Sequence, residues 1–369
     1  MTEDVENNHP CFTRGLTGHE HAERQFLDAF NADRLHHAWL ISGPKGIGKA
    51  TLAWKFAKFL LTQPSSEDEG ESLFGDVLPT EVVSLTVSPE NNDLQRIESG
   101  GHGGLITIER TINDKTGKLR SDIVIDDIRR LIRFFEQTSA EGGWRVAIID
   151  AVDEMNTNAS NALLKVLEEP PSKSIILLIA HSPGKLLPTI RSRCRALKLK
   201  NLHEDSVKAV LAGKYPALSN EELLATARLA NGAPGRAIEL ASLGGINLYT
   251  KIYTILETLP RLNRPQVHAL AEQLAALKAD AEYRLFIQLF LGWLERMVRI
   301  RVHDGDTTDI IPGEKTQMAR ISTLAGVDQW LDLWEKMGNL AERANAVNLD
   351  KKQIIISMFT TLAAVAYSQ

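Results

Sequence analysis

The stretch GPKGIGKAT, residues 43–51, decides how this chain folds. Gly43 and the Gly48-Lys49 pair stand at the spacing of a phosphate-binding loop, with Gly46 between them. Such a loop needs glycines so that backbone N–H groups can close around a phosphate. It needs a lysine to reach the β- and γ-phosphates, and a hydroxyl residue next to the lysine to hold Mg²⁺. Here the hydroxyl position is Ala50, and Thr51 comes one residue late. Successive helix residues point about 100° apart, so Thr51 is badly placed to substitute. The loop is expected to accept phosphates but to organise a metal poorly. Its flanks supply the required elements: HAWLI (37–41) reads as a strand entering the loop, and 51–60, with Leu52, Phe56, Ala57, Phe59 and Leu60, as the helix leaving it.

At 369 residues the chain has room for two or three domains. With 43% hydrophobic and 24% charged residues it has an ordinary globular composition. A formal net charge of −5 argues against a surface that coats nucleic acid broadly, while leaving room for a local basic patch. Two cysteines, Cys11 and Cys194, supply neither a disulfide framework nor a four-cysteine zinc site. The polar, acidic start lacks the basic and apolar regions of a signal peptide. The apolar-rich stretch 354–367 is too short and too rich in hydroxyls to span a bilayer. A cytoplasmic protein without membrane contact is expected.

Strand and helix signals alternate to about residue 200. Strands are predicted at 37–42, 105–110, 144–150 and 175–181, and helices at 20–31, 51–61, 124–137 and 157–167. The strands at 144 and 175 are continuous apolar runs, as in a parallel sheet covered on both faces. SSEDEGES (65–72) reads as an acidic linker and ESGGHGG (98–104) as a glycine-rich loop. Beyond 200 only helices are predicted. Three short ones span 203–214, 219–231 and 235–243, the second opened by a capping box of Ser219 and Glu222. Longer helices begin near 247, 265, 280, 328 and 351, with a polar loop at 305–313. The expected division is a nucleotide-binding-type core at 1–200, a three-helix lid at 201–245 and a helical collar at 246–369. In the collar, Leu285, Phe286, Leu289, Phe290, Trp293 and Leu294 exceed a narrow stripe, which leaves a wide core and a subunit interface both open.

A phosphate-binding loop works with a second strand whose terminal acid supports Mg²⁺. RVAIID (145–150) is that strand and Asp150 that acid. In hydrolysing relatives of such proteins the next residue is a glutamate that activates water; here it is Ala151. Asp153 and Glu154 are expected to be solvated acids at a helix start, and His181 a packing or surface histidine. Two parts of the hydrolytic apparatus, at 50 and 151, are thus missing.

NALLKVLEEPP (161–171), followed by IILLIAHSPGKLLPTIRSRC (175–194), resembles the clamp-loader subunits of bacterial DNA polymerase III, a branch of the AAA+ proteins. LTGHEHAERQFLDAFNADRLHHAWLISGP (16–44) resembles them too, and ANAVNLDKKQ (344–353) does so loosely. The resemblance implies an α/β AAA+ core with a parallel sheet, a helical lid and an all-α collar. It implies a place in a five-subunit ring with gamma/tau motor subunits and a delta subunit, which loads a sliding clamp on primer-template DNA. It makes Arg193, in the SRC triplet, an arginine finger that acts in trans on a neighbour's ATP. Gly43, Gly46, Gly48, Lys49, Thr51 and Asp150 become a nucleotide-binding-like set, with ATP and Mg²⁺ weakly held and no cofactor required. Motor subunits carry a lid arginine where this chain has Gly235, with Arg236 one residue late, so a non-motor subunit is expected. Many such subunits also carry a four-cysteine zinc module after the loop; without those cysteines no zinc is expected here. Two other readings stay open: an active motor using Thr51 and Glu154 as substitutes, and a DNA-binding module using the cations of 191–200.

Overall fold

The computed structural model describes residues 9–13, 15–63, 81–113, 117, 119–136, 143–276, 279–302, 308–347 and 349–367, with the side chains of 344–347 left aside. The acidic segment 65–72 lies outside them. The chain divides into two compact units, Met1–Leu202 and His203–Gln369.

In the first unit, strands β1 (Ala38–Ser42), β2 (Leu105–Glu109), β3 (Arg145–Asp150), β4 (Ser174–Ala180) and β5 (Arg195–Lys198) form one sheet in the order β2-β3-β4-β1-β5. Every pairing is parallel, with Ala38 opposite Ile176 and Arg145 opposite Ser174 setting the central register. Successive strand residues face opposite ways. Trp39, Ile41, Val146, Ile148, Ile175 and Leu177 therefore fill one face of the sheet, against Phe26 of helix α1 (Glu20–Asn31) and Phe56 of α2 (Lys49–Leu61). Leu40, Ala147, Ile149, Ile176 and Leu178 fill the other. That second face packs against Ile128 and Leu131 of α4 (Ile125–Glu136) and Leu163 of α5 (Thr157–Glu168). The α/β core with a parallel sheet that the sequence predicts is present.

Besides three short 3-10 turns and the four-residue helix Pro188–Arg191, two elements of this unit were not predicted. One is the edge strand β5, four residues with only Leu197 buried, which has too little apolar pattern to show in sequence. The other is α3 (Asn92–Glu98), a seven-residue helix capped by Asn91, whose side chain accepts from the N–H groups of Asp93 and Leu94. Helix α2 begins at Lys49, two residues earlier than predicted, because Gly48 adopts φ 106° and turns the chain straight into the helix.

Among the described residues the elements of the second unit are all helices: α7 (Glu204–Lys214), α8 (Asn220–Leu229), α9 (Pro234–Ser242), α10 (Gly245–Leu256), α11 (Arg264–Ala275), α12 (Asp280–Val302), α13 (Glu314–Ser322), α14 (Val327–Val347) and α15 (Lys351–Tyr367). Before them in chain order comes α6 (Pro188–Arg191) of the first unit. The capping box of Ser219 and Glu222 opens α8 as predicted. Helix α13 was hidden in sequence by its polarity. The six apolar residues of α12 are all buried within this chain, and Phe286, Phe290 and Phe359 of α15 make mutual ring contacts at 5.1–5.9 Å. Their abundance builds a wide core.

That unit also buries a charge. Glu314 is 0% exposed and accepts from the Tyr249 hydroxyl, from Arg296 Nη2 at 3.0 Å and from the Ile310 N–H at 2.9 Å. Arg296 reaches on to the Thr308 carbonyl at 3.0 Å, and Arg228 of α8 donates to the Asp309 carbonyl at 2.8 Å. Removing one member of a satisfied buried pair leaves the others unpaired. Glu314→Ala is expected to lower stability by about 3–5 kcal/mol in urea unfolding; a loss within the range of an ordinary surface substitution would show that the network carries no such weight.

Candidate nucleotide-type site

Because every strand of the sheet is parallel, the ends of β1, β3 and β4 emerge on one edge. That edge collects the phosphate-binding loop, Asp150 and His181. Gly43, Gly46 and Gly48 all take positive φ, at 152°, 79° and 106°. At Gly43 a Cβ would lie 2.7 Å from the Leu199 backbone carbonyl, which leaves no room for a side chain; at Gly48 it would meet only the movable tip of Leu16, and the φ of 106° is what favours glycine. The base of the loop is pinned by His19, a buried imidazole whose Nε2 lies 2.8 Å from the Ile47 carbonyl. His19 was given no role in the sequence.

Lys49 is almost fully buried and folds back on its own loop, donating to the carbonyls of Gly43 at 2.7 Å and Pro44 at 2.8 Å. Burial pushes its pKa down to about 8, against the opposing pull of Asp150 and Asp153. Asp150 moves the other way. Burial first, then the carboxylate of Glu109 on the adjacent strand, push it up to about 6 in spite of Lys49. Desolvation drives both shifts and brings the two pKa values toward each other.

The metal side of this edge is bare. Ala50 occupies the second position of α2 and packs against the apolar core, while Thr51 lies one position further along the helix. Ala151 is buried. Asp153 is not the solvated helix-start acid predicted: Val152–Glu154 is a 3-10 turn, and the Asp153 carboxylate accepts the N–H groups of His181 at 2.9 Å and Ser182 at 2.8 Å. It thereby closes the end of β4. Glu154 pairs with Arg110 at 2.7 Å. The α helix itself starts later, at Thr157 with Asn156 as cap. His181 has a buried Nδ1 without a hydrogen-bond partner, and burial lowers its pKa. The loop and Lys49 fit a phosphate. For a divalent cation, Asp150 is the one side chain among the predicted ligands that fits.

Arg193 stands elsewhere in the unit, on the turn between α6 and β5. Its Nη1 donates to the Thr189 carbonyl at 3.0 Å, which Ser192 Oγ shares at 3.1 Å, and its Nη2 lies 2.9 Å from Glu168 Oε1. The Arg193 side chain remains 36% exposed. Cys194 behind it is a packing residue, its thiol pushed up to about 12 by burial. Arg195 lies over the Trp39 ring at 4.8 Å. Glu168 belongs to the LEEPP stretch, and no local spacing shows that it meets the SRC triplet.

Residues 18–203 match the family model described as DNA polymerase III, delta subunit. The DNA polymerase III subunit delta' of Pseudomonas aeruginosa is 30% identical over 317 residues, covering 83% of this chain and 87% of its own. The tau subunit of Escherichia coli is 26% identical, over 78% of this chain and 44% of its own. A solved Thermotoga maritima protein related to the gamma subunit is 17% identical and aligns with a TM-score of 0.42 over 92% of this chain.

The raised pKa of Asp150 fixes the sign of a pH effect. The folded chain holds this proton more tightly than the unfolded chain does, so ionising it costs stability. That cost grows as pH rises above the ordinary carboxylate range and is complete above about 6. Asp150→Asn is expected to stabilise the chain by about 1–2 kcal/mol at pH 7.5 and by less at pH 5, read by thermal unfolding. Equal gains at both pH values would show that ionisation of Asp150 is not the source.

Proposed function

From the membership of this chain in the DNA polymerase III delta-prime family, we propose that it works as the non-motor subunit of a clamp loader. In this reading it serves a ring of gamma/tau and delta subunits that places a sliding clamp on primer-template DNA. Its own nucleotide-type site does not turn over, and Arg193 acts on the ATP of a neighbour. The observation that carries the proposal is the contrast between the two places. Where hydrolysis would occur, the hydroxyl and acid positions are Ala50 and Ala151. Where a neighbour would dock, a partly exposed arginine side chain is held on a short turn.

The chemistry follows from those positions. A water attacking a γ-phosphate needs an oriented base and a metal-held phosphate, and Ala151 and Ala50 provide neither. A guanidinium is permanently charged and forked, so it can neutralise charge gathering on a phosphate bound by another subunit. ATP and Mg²⁺ are weak ligands in this reading, held by Gly43, Gly46, Gly48 and Lys49, with Asp150 nearest the metal, and neither is required. Helices α7–α9 correspond to the lid (201–245) and α10–α15 to the collar (246–369). The family setting supports a cytoplasmic location, and no described helix is long and apolar enough to cross a membrane.

The purified chain is expected to show no steady-state ATP turnover, alone or with primed DNA and clamp. Robust turnover abolished by Lys49→Ala would make it a motor. Arg193→Ala is expected to leave fold and ring assembly intact and to slow hydrolysis at the adjacent motor site by on the order of a thousandfold. Unchanged turnover in the reconstituted ring would remove Arg193 from that role.

A further inference from the structure

We propose that Glu168 is the positioning residue for Arg193, so that the LEEPP and SRC stretches form one device, an arginine finger and its support. The proposal rests on the reading of Arg193 as a finger acting in trans.

Each half of the device is fixed by its own local structure. Pro170 disfavours the helical conformation at the residue before it, and Glu169 leaves the helix at φ −126°, ψ 70°, which makes Glu168 the last residue of α5. An acid at that end faces the negative pole of its own helix, an arrangement unfavourable in isolation and relieved by a cation alongside. The cation is Arg193, 2.9 Å away. On its side, α6 closes through the bonds Ser192 N–H to the Pro188 carbonyl at 2.9 Å and Arg193 N–H to the Ile190 carbonyl at 3.1 Å, so the arginine backbone is set.

The side chain is then held at two points. The Thr189 carbonyl accepts a hydrogen bond from Nη1, and Glu168 Oε1 pairs with Nη2 at 2.9 Å. A guanidinium offers five N–H donors, so these contacts leave donors over for a phosphate. A free arginine at a surface would have to give up much of its rotamer freedom on engaging a neighbour's nucleotide. Held at both Nη atoms, it has already done so. Glu168 is 50% exposed and supports no apolar packing that its loss would collapse. It touches the finger, so it acts on rate through the orientation of Arg193.

The test is a double-mutant cycle in the reconstituted ring with clamp and primed DNA, reading kcat and KM for ATP with wild type, Glu168→Ala, Arg193→Ala and the double variant. Arg193→Ala defines the share of turnover that depends on the finger. Glu168→Ala is expected to reduce the kcat of that share roughly ten- to a hundredfold with KM unchanged, and to add nothing in the Arg193→Ala background. Wild-type or faster turnover in Glu168→Ala would overturn the positioning role while leaving the finger standing. So would an equal loss with and without Arg193. Normal turnover in Arg193→Ala would instead remove the finger itself, and the role of Glu168 with it.

Discussion

Burial of both faces of a parallel sheet is the constraint on which the rest of this structure depends. The central strands β1, β3 and β4 must offer apolar side chains alternately to α1 and α2 and to α4 and α5, so a slip by one residue would turn their side chains to the wrong face. With register fixed in this way, the only backbone free to approach a ligand is at the strand ends. Parallel order then puts the ends of β1, β3 and β4 together, which is why Lys49 and Asp150, far apart in sequence, share one environment. The site's electrostatics follow from the dryness that the sheet imposes.

Much of this was legible because two periodicities and one motif speak strongly. The apolar runs at 145–150 and 174–180 gave the central strands to within a residue, and the glycines of 43–48 stand where positive φ and close approach demand them. The two alanines at 50 and 151 could be read as absences because the motif states what should stand there. The illegible parts have physical reasons. Strand β5 buries one side chain, and helix α3 buries two, too few to leave a pattern. Asp153 looked like any acid before a helix, and only the folded chain brings it to the N–H groups of residues 181 and 182. Glu168 and Arg193 are joined through tertiary structure, which no local spacing encodes.

The helical unit shows a different balance. Composition alone left the apolar surplus of α12 divided between core and interface, and the packing of Phe286, Phe290 and Phe359 uses it internally. The same unit places Glu314 where no solvent reaches and surrounds it with donors from three directions. An apolar replacement for the whole network would be equally at home in a core, whereas loss of one member leaves the others unpaired.

The two cysteines carry a practical consequence. Cys11 is nearly inaccessible and Cys194 sits half-buried behind the arginine turn, and burial raises both thiols, so neither holds an appreciable thiolate at neutral pH. To an alkylating reagent the folded chain is therefore close to silent. A single cysteine introduced on an exposed face would become its dominant reactive point, ready to carry a fluorophore or cross-linker without first stripping the native sulfur from beside Arg193.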